Sequence, residues 1–66
     1  MASPLLASAP TLDSITEAVA RFYMGEVKTL EEEMPNVWTV HHKDGMQVLG
    51  VRVVKRGKRY RFEMVL

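Results

Sequence analysis

Two short turn signals constrain this chain more than any other feature in it. Asp44-Gly45 and Arg56-Gly57 each sit between stretches of alternating, β-rich sequence, and a glycine-containing dipeptide in that setting closes a two-residue hairpin loop. The first loop predicts that Lys43 pairs with Met46, Val40 with Leu49 and Trp38 with Val51. The second predicts pairs of Lys55 with Lys58, Val53 with Tyr60, Val51 with Phe62 and Leu49 with Met64. Both registers put the same residues on one face: Trp38, Val40, Leu49, Val51, Val53, Tyr60, Phe62 and Met64. A one-residue slip in either hairpin would scatter that set over both faces.

A helix is the natural cover for such a face. Ser14 followed by Glu17 reads as a capping box, and Ile15, Ala18, Val19, Phe22 and Tyr23 recur at helical spacing. The pattern predicts a helix from Ser14 to Met24. The following "GEVKTLEEEMP" supports two readings: a helix continuing to Glu33, preferred for its glutamates and the spacing of Val27, Leu30 and Met34, or an extra strand over 26–32. Gly25 argues for a stop and Pro35 ends any helix before it. The expected fold is therefore α+β, one N-terminal helix on a three-stranded antiparallel meander (α-β-β-β). Residues 1–11 are expected to be a flexible tail, and 12–66 a single small domain.

Composition narrows function by exclusion. A chain of 66 residues without cysteine has no disulfide framework and no thiolate metal site. Adjacent His41 and His42 would point to opposite faces of a strand, and Glu31, Glu32 and Glu33, read as a helix end, would diverge by about 100° each, so neither group predicts a metal site. "MASPLLASAP" lacks a basic n-region and a sustained apolar core, so it is not read as a signal peptide. No segment reaches the roughly 20 apolar residues of a membrane span. The expectation is a cytoplasmic chain with no cofactor and no membrane partner. Met24, Met34 and Met64 read as core filler.

The remaining face carries Val37, Thr39, His41, Val48, Gly50, Arg52, Val54, Arg59, Arg61, Glu63 and Val65. Net charge is only +1, yet seven of eight acids precede Gly45 and six of nine bases lie between Arg52 and Arg61. The derived register sets Arg52 opposite Arg61 and Arg59 opposite Val54, with Glu63 diagonal to Arg52. Like charges across a ladder repel, so Arg52→Thr is expected to stabilise the free chain slightly. Guanidinium groups among apolar patches suit phosphate or an acidic protein surface. The candidate contacts for DNA or RNA are Arg52, Lys55, Arg56, Lys58, Arg59 and Arg61. The aromatics fall on the core face, so a base-stacking platform is not expected. His41 could serve as an acid or base, but no nucleophile accompanies it. The leading expectation is a non-enzymatic module that binds nucleic acid through this face and the hairpin tip. The alternative is a protein-interaction or self-associating domain using the same face.

Overall fold

The computed structural model describes residues 4–65. In chain order the elements are β1 (Leu5–Ala9), α1 (Leu12–Phe22), β2 (Val27–Met34), β3 (Val37–His42), β4 (Val51–Arg56) and β5 (Arg59–Met64). The fold is α+β, with one helix and a single five-stranded antiparallel sheet in the order β1-β5-β4-β3-β2. The expected meander β3-β4-β5 is its centre, flanked by β1, which was not expected, and by β2, which matches the alternative strand reading of 26–32. No helix among the described residues is long and apolar enough to cross a membrane.

The unexpected strand, β1, occupies the predicted tail. Residues 5–9 pair with β5, Ala7 beside Phe62 and Ala9 beside Tyr60, and Ala9 is buried in the main core. Small side chains escape a reading based on large apolar anchors, although their backbone groups complete the sheet. Residues 1–3 of the expected tail lie outside the described residues.

Helix α1 starts two residues earlier than predicted because Thr11, not Ser14, is its cap. Thr11 has extended angles (φ −131°, ψ 159°), and its hydroxyl oxygen accepts the Ser14 amide at 3.1 Å. Asp13 in the first turn and Arg21 in the last both suit the helix dipole. Met24 and Gly25 then take left-handed angles, φ 55° and 82°. The Gly25 amide reaches back to the Ala20 carbonyl at 2.8 Å, a wrapped end that satisfies an orphan carbonyl.

That stop overturns the preferred helix through Glu33: the segment is β2, the rival strand reading. Pro35 presets φ and Asn36 supplies φ 65°, which closes a tight β2–β3 hairpin with Met34 opposite Val37. Glutamates favour helix only weakly, and sheet pairing outweighs them here. Register shifts between Val27 and Thr29 and between Glu32 and Met34 let this edge strand keep its apolar Val27 and Leu30 on the core side.

Both predicted hairpin registers are displaced. Around Asp44-Gly45 the His42 amide bonds the Met46 carbonyl at 2.8 Å, and His41 bridges Gln47. The loop is therefore three residues long, with Gly45 at φ 94°. Gln47 thus lies opposite His41 and not His42, which faces Met46 across the loop and Val27 on its β2 side. One extra loop residue reverses the local parity: Val48 turns onto the core, while Leu49, predicted as core, is 82% exposed. The bulging chain at Leu49-Gly50 then restores the alternation, so that Trp38 pairs with Val53 instead of Val51.

The second loop is Gly57-Lys58, because Arg56 pairs with Arg59. Gly57 at φ 62° takes the first central position, which spares Arg56 a left-handed backbone. This moves the ladder by two residues, setting Val53 opposite Phe62 and Val51 opposite Met64. An even displacement preserves faces. Trp38, Val40, Val53 and Phe62 are buried as predicted, with Ile15 and Val19 of α1 above them. Met24 and Met34 are surface residues, and Met64 lies at the margin.

Phe62 is fully buried, with Phe22 edge-on at 5.3 Å and Tyr23 at 6.1 Å. Phe62→Ala should cost about 3–5 kcal/mol, enough to unfold so small a domain, as read by urea denaturation. Removing residues 1–9 should lower Tm by about 10 °C or more, whereas a flexible tail would leave Tm unchanged. Burial raises the pKa of Tyr23, so the unfolded chain releases that proton first. Stability should therefore be complete below the unfolded value of about 10 and fall as pH rises past it, and Tyr23→Phe should flatten the alkaline loss.

Candidate nucleic-acid interface

The face opposite α1 is built around a buried acid. Glu63 follows Phe62 on β5, so strand alternation sends its carboxylate to the other side of the sheet. There it is 3% exposed. Arg52, directly across on β4, donates from Nε and Nη2 to Glu63 Oε1 at 3.2 and 3.1 Å. Arg61 Nε donates to Oε2 at 3.2 Å. A desolvated carboxylate is tolerated only when paired and hydrogen-bonded, and both oxygens are satisfied.

This corrects the expected arrangement of charges. Arg52 faces Glu63 rather than Arg61, Arg61 faces Val54, and Arg59 faces Arg56. The two-residue displacement of the β4–β5 ladder brings an acid against the arginine that was expected to be repelled. The predicted stabilisation by Arg52→Thr is overturned with it. Val54 is buried on this face, and Val48 packs with the opposite core, so the expected four-valine surface is reduced to Val37 and Val65.

The six predicted contacts thus divide into an inner pair and an outer group. Arg52 and Arg61, about one-third exposed (34% and 35%), are clamped to Glu63. Lys55, Arg56, Lys58 and Arg59 are exposed around the β4–β5 turn. Lys55 Nζ lies 5.7 Å from the Tyr60 ring centroid, and Arg59 Nε donates to Ser8 Oγ of β1 at 3.0 Å. Among the described residues, no carboxylate lies within ion-pair distance of these four tip cations. Arg56 and Arg59 stand directly across the ladder from each other.

Two anchors were missed from sequence. Sequence places Ser8 in a flexible tail and Glu63 diagonal to Arg52, whereas Ser8 holds Arg59 and Glu63 stands directly opposite Arg52. A glutamate immediately after a core phenylalanine on an arginine-bearing hairpin is the signal that would have revealed the clamp.

His41 lies on this face beside Thr39, as expected. Its Nε2 is 2.8 Å from Thr39 Oγ1 and 3.5 Å from Glu31 Oε2, and its Nδ1 is 3.5 Å from the Gly45 carbonyl. The Thr39 hydroxyl also lies 3.2 Å from the Glu31 carbonyl, to which it donates. That bond directs its proton to the backbone, so the cluster ties β2 to β3 and the following loop. Among the described residues no group of three or more His, Cys, Asp or Glu could hold a metal ion. No protein-family model, curated protein or solved structure matches the chain.

The clamp makes a reversed stability prediction. Arg52→Thr should destabilise by about 1–3 kcal/mol, since it removes two hydrogen bonds from a buried charge. Glu63→Gln should also destabilise, and the double variant should lose less than the sum of the singles. Additive losses in urea unfolding would show that the two side chains do not act as a unit.

Proposed function

We propose that this chain is a small non-enzymatic binding module that takes nucleic acid through the tip of the β4–β5 hairpin. The observation that carries this reading is the exposed group Lys55, Arg56, Lys58 and Arg59, which has no carboxylate partner among the described residues. Like charges directly opposite on a ladder destabilise it. The Arg56–Arg59 pair is relieved when a phosphate lies between them. Guanidinium groups suit phosphate by their forked donors, and lysines add point charge.

β4 and β5 are flanked by β3 and β1 as far as Lys55 and Tyr60, so the turn from Arg56 to Arg59 is the part that projects to meet a nucleic-acid backbone. Where these cations meet phosphate, their contacts position the protein without carrying sequence information. Arg52 and Arg61, held by Glu63, stand behind the tip and supply the ribbon's stiffness. This refines the sequence expectation, in which all six cations met the ligand alike.

Fluorescence anisotropy with a short duplex at several salt concentrations tests the reading. Four phosphate contacts should give a log–log salt slope of about −3.6, and Lys58→Ser should reduce its magnitude by about 0.9. Arg56→Ser should weaken binding while raising stability by a few tenths of a kcal/mol, because it removes the cross-strand repulsion. Absence of binding to DNA and RNA duplexes at low salt, or a slope indifferent to both tip substitutions, would overturn it.

A further inference from the structure

We infer that the sheet face uncovered by α1, between β2 and β4, is an interface between two copies of this chain. This surface is separate from the hairpin tip, and the inference does not depend on nucleic-acid binding. Where β3 and β4 diverge beyond the Trp38–Val53 pair, a groove opens, lined by Glu33, Met34, Val37, Val51, Arg52 and Val65 among others. Met34 is 57% exposed and Val65 44%. Exposed apolar side chains gathered at one groove mark an interaction surface more strongly than the same residues scattered singly.

The distribution of charge across the face selects the occupant. Glu31 and Glu33 lie on β2, Val37 and Thr39 occupy β3, and Arg52 and Arg61 stand on β4 and β5. With Glu63 balancing one of the two arginines, the face runs from a negative β2 side through a neutral β3 to a β4–β5 side with one surplus positive charge. A two-fold axis along β3 lays the β2 side of one copy over the β4 side of the other. Glu33 then meets the partner's Arg52 twice, with Met34, Val37 and Val65 of both copies enclosed between them. An isologous contact requires that kind of self-complementarity.

Arg52 keeps its Nη1 group for this contact, since Nε and Nη2 are already engaged by Glu63. A standard interface buries about 800 Å2 per partner. In a molecule measuring 31 × 24 × 21 Å, the contact therefore extends from the groove over most of this face. Sheet-on-sheet packing at about 10 Å separation is the corresponding architecture, and both hairpin tips would emerge at the same end of the pair.

Sedimentation equilibrium of the full chain over a range of concentrations tests this. The expected species is a dimer of twice 7.5 kDa. Met34→Ser and Val65→Ser remove exposed side chains and should weaken it about tenfold or more, with the monomer's circular dichroism unchanged. Glu33→Lys, which sets a cation against the partner's Arg52, should do the same, while Arg56→Ser at the tip should leave the dimer intact. A monomer up to about 1 mM, a dimer indifferent to all three face substitutions, or open-ended growth would each overturn the inference.

Discussion

Strand β5 is buried on both sides, and the structure depends on how its two inner residues are satisfied. Phe62 is completely enclosed by the helix layer, and the next residue, Glu63, is 3% exposed on the opposite face. The apolar side needs only volume and complementary shape. The polar side is more demanding, because a desolvated carboxylate must find donors for both oxygens or destabilise the fold. Arg52 and Arg61 supply them. This requirement discriminates between registers that apolar burial alone treats as nearly equal. In the register expected from sequence, Glu63 would face Gly50, and Arg52 would face Arg61. In the observed one, Arg52 lies straight across from the acid.

Face assignment was legible in the sequence because strand alternation is insensitive to even displacements. Trp38, Val40, Val53 and Phe62 occupy the predicted core although both hairpin registers moved. Pairing was less legible, since loop length decides it and a glycine dipeptide permits loops of two or three residues. The cost of that ambiguity is visible at Val48 and Leu49, which exchange places between core and solvent. Of the flanking strands, β1 was hidden and β2 was ambiguous between helix and strand, for different reasons. β1 contributes small Ala7 and Ala9 against β5, so it lacks the bulky alternation that announces a strand. β2 carries helix-favouring glutamates, and what settles it is the left-handed Met24-Gly25 pair before it and the Pro35-Asn36 turn after it.

The candidate site was legible as a set of residues but not as a network. The cations between Arg52 and Arg61 are evident from sequence, yet their division into clamped and free groups follows from a carboxylate on the same strand. Glu63 acts on Arg61 two residues before it and on Arg52 across the ladder. Both relations depend on knowing which residue of β4 stands opposite, so the register error propagated directly into the electrostatics. The hairpin tip was less affected. Its exposure depends on proximity to the turn, which either loop assignment provides.

The two ends of the β4–β5 ribbon therefore stand in opposite electrostatic conditions. Near its base, positive charge is balanced against a buried acid, and the attraction holds β4 to β5 at the middle of the sheet. Near its tip, Arg56 faces Arg59 with no acid within ion-pair distance among the described residues. A chain of 66 residues buries only about 60% of its extended surface, so it has little stability in reserve for unneutralised charge in its interior. Repulsion at an exposed tip is weak because water screens it. Anchoring at the base and excess charge at the tip are thus compatible in one hairpin: the former fixes where the ribbon points, and the latter leaves its end available to an anionic ligand.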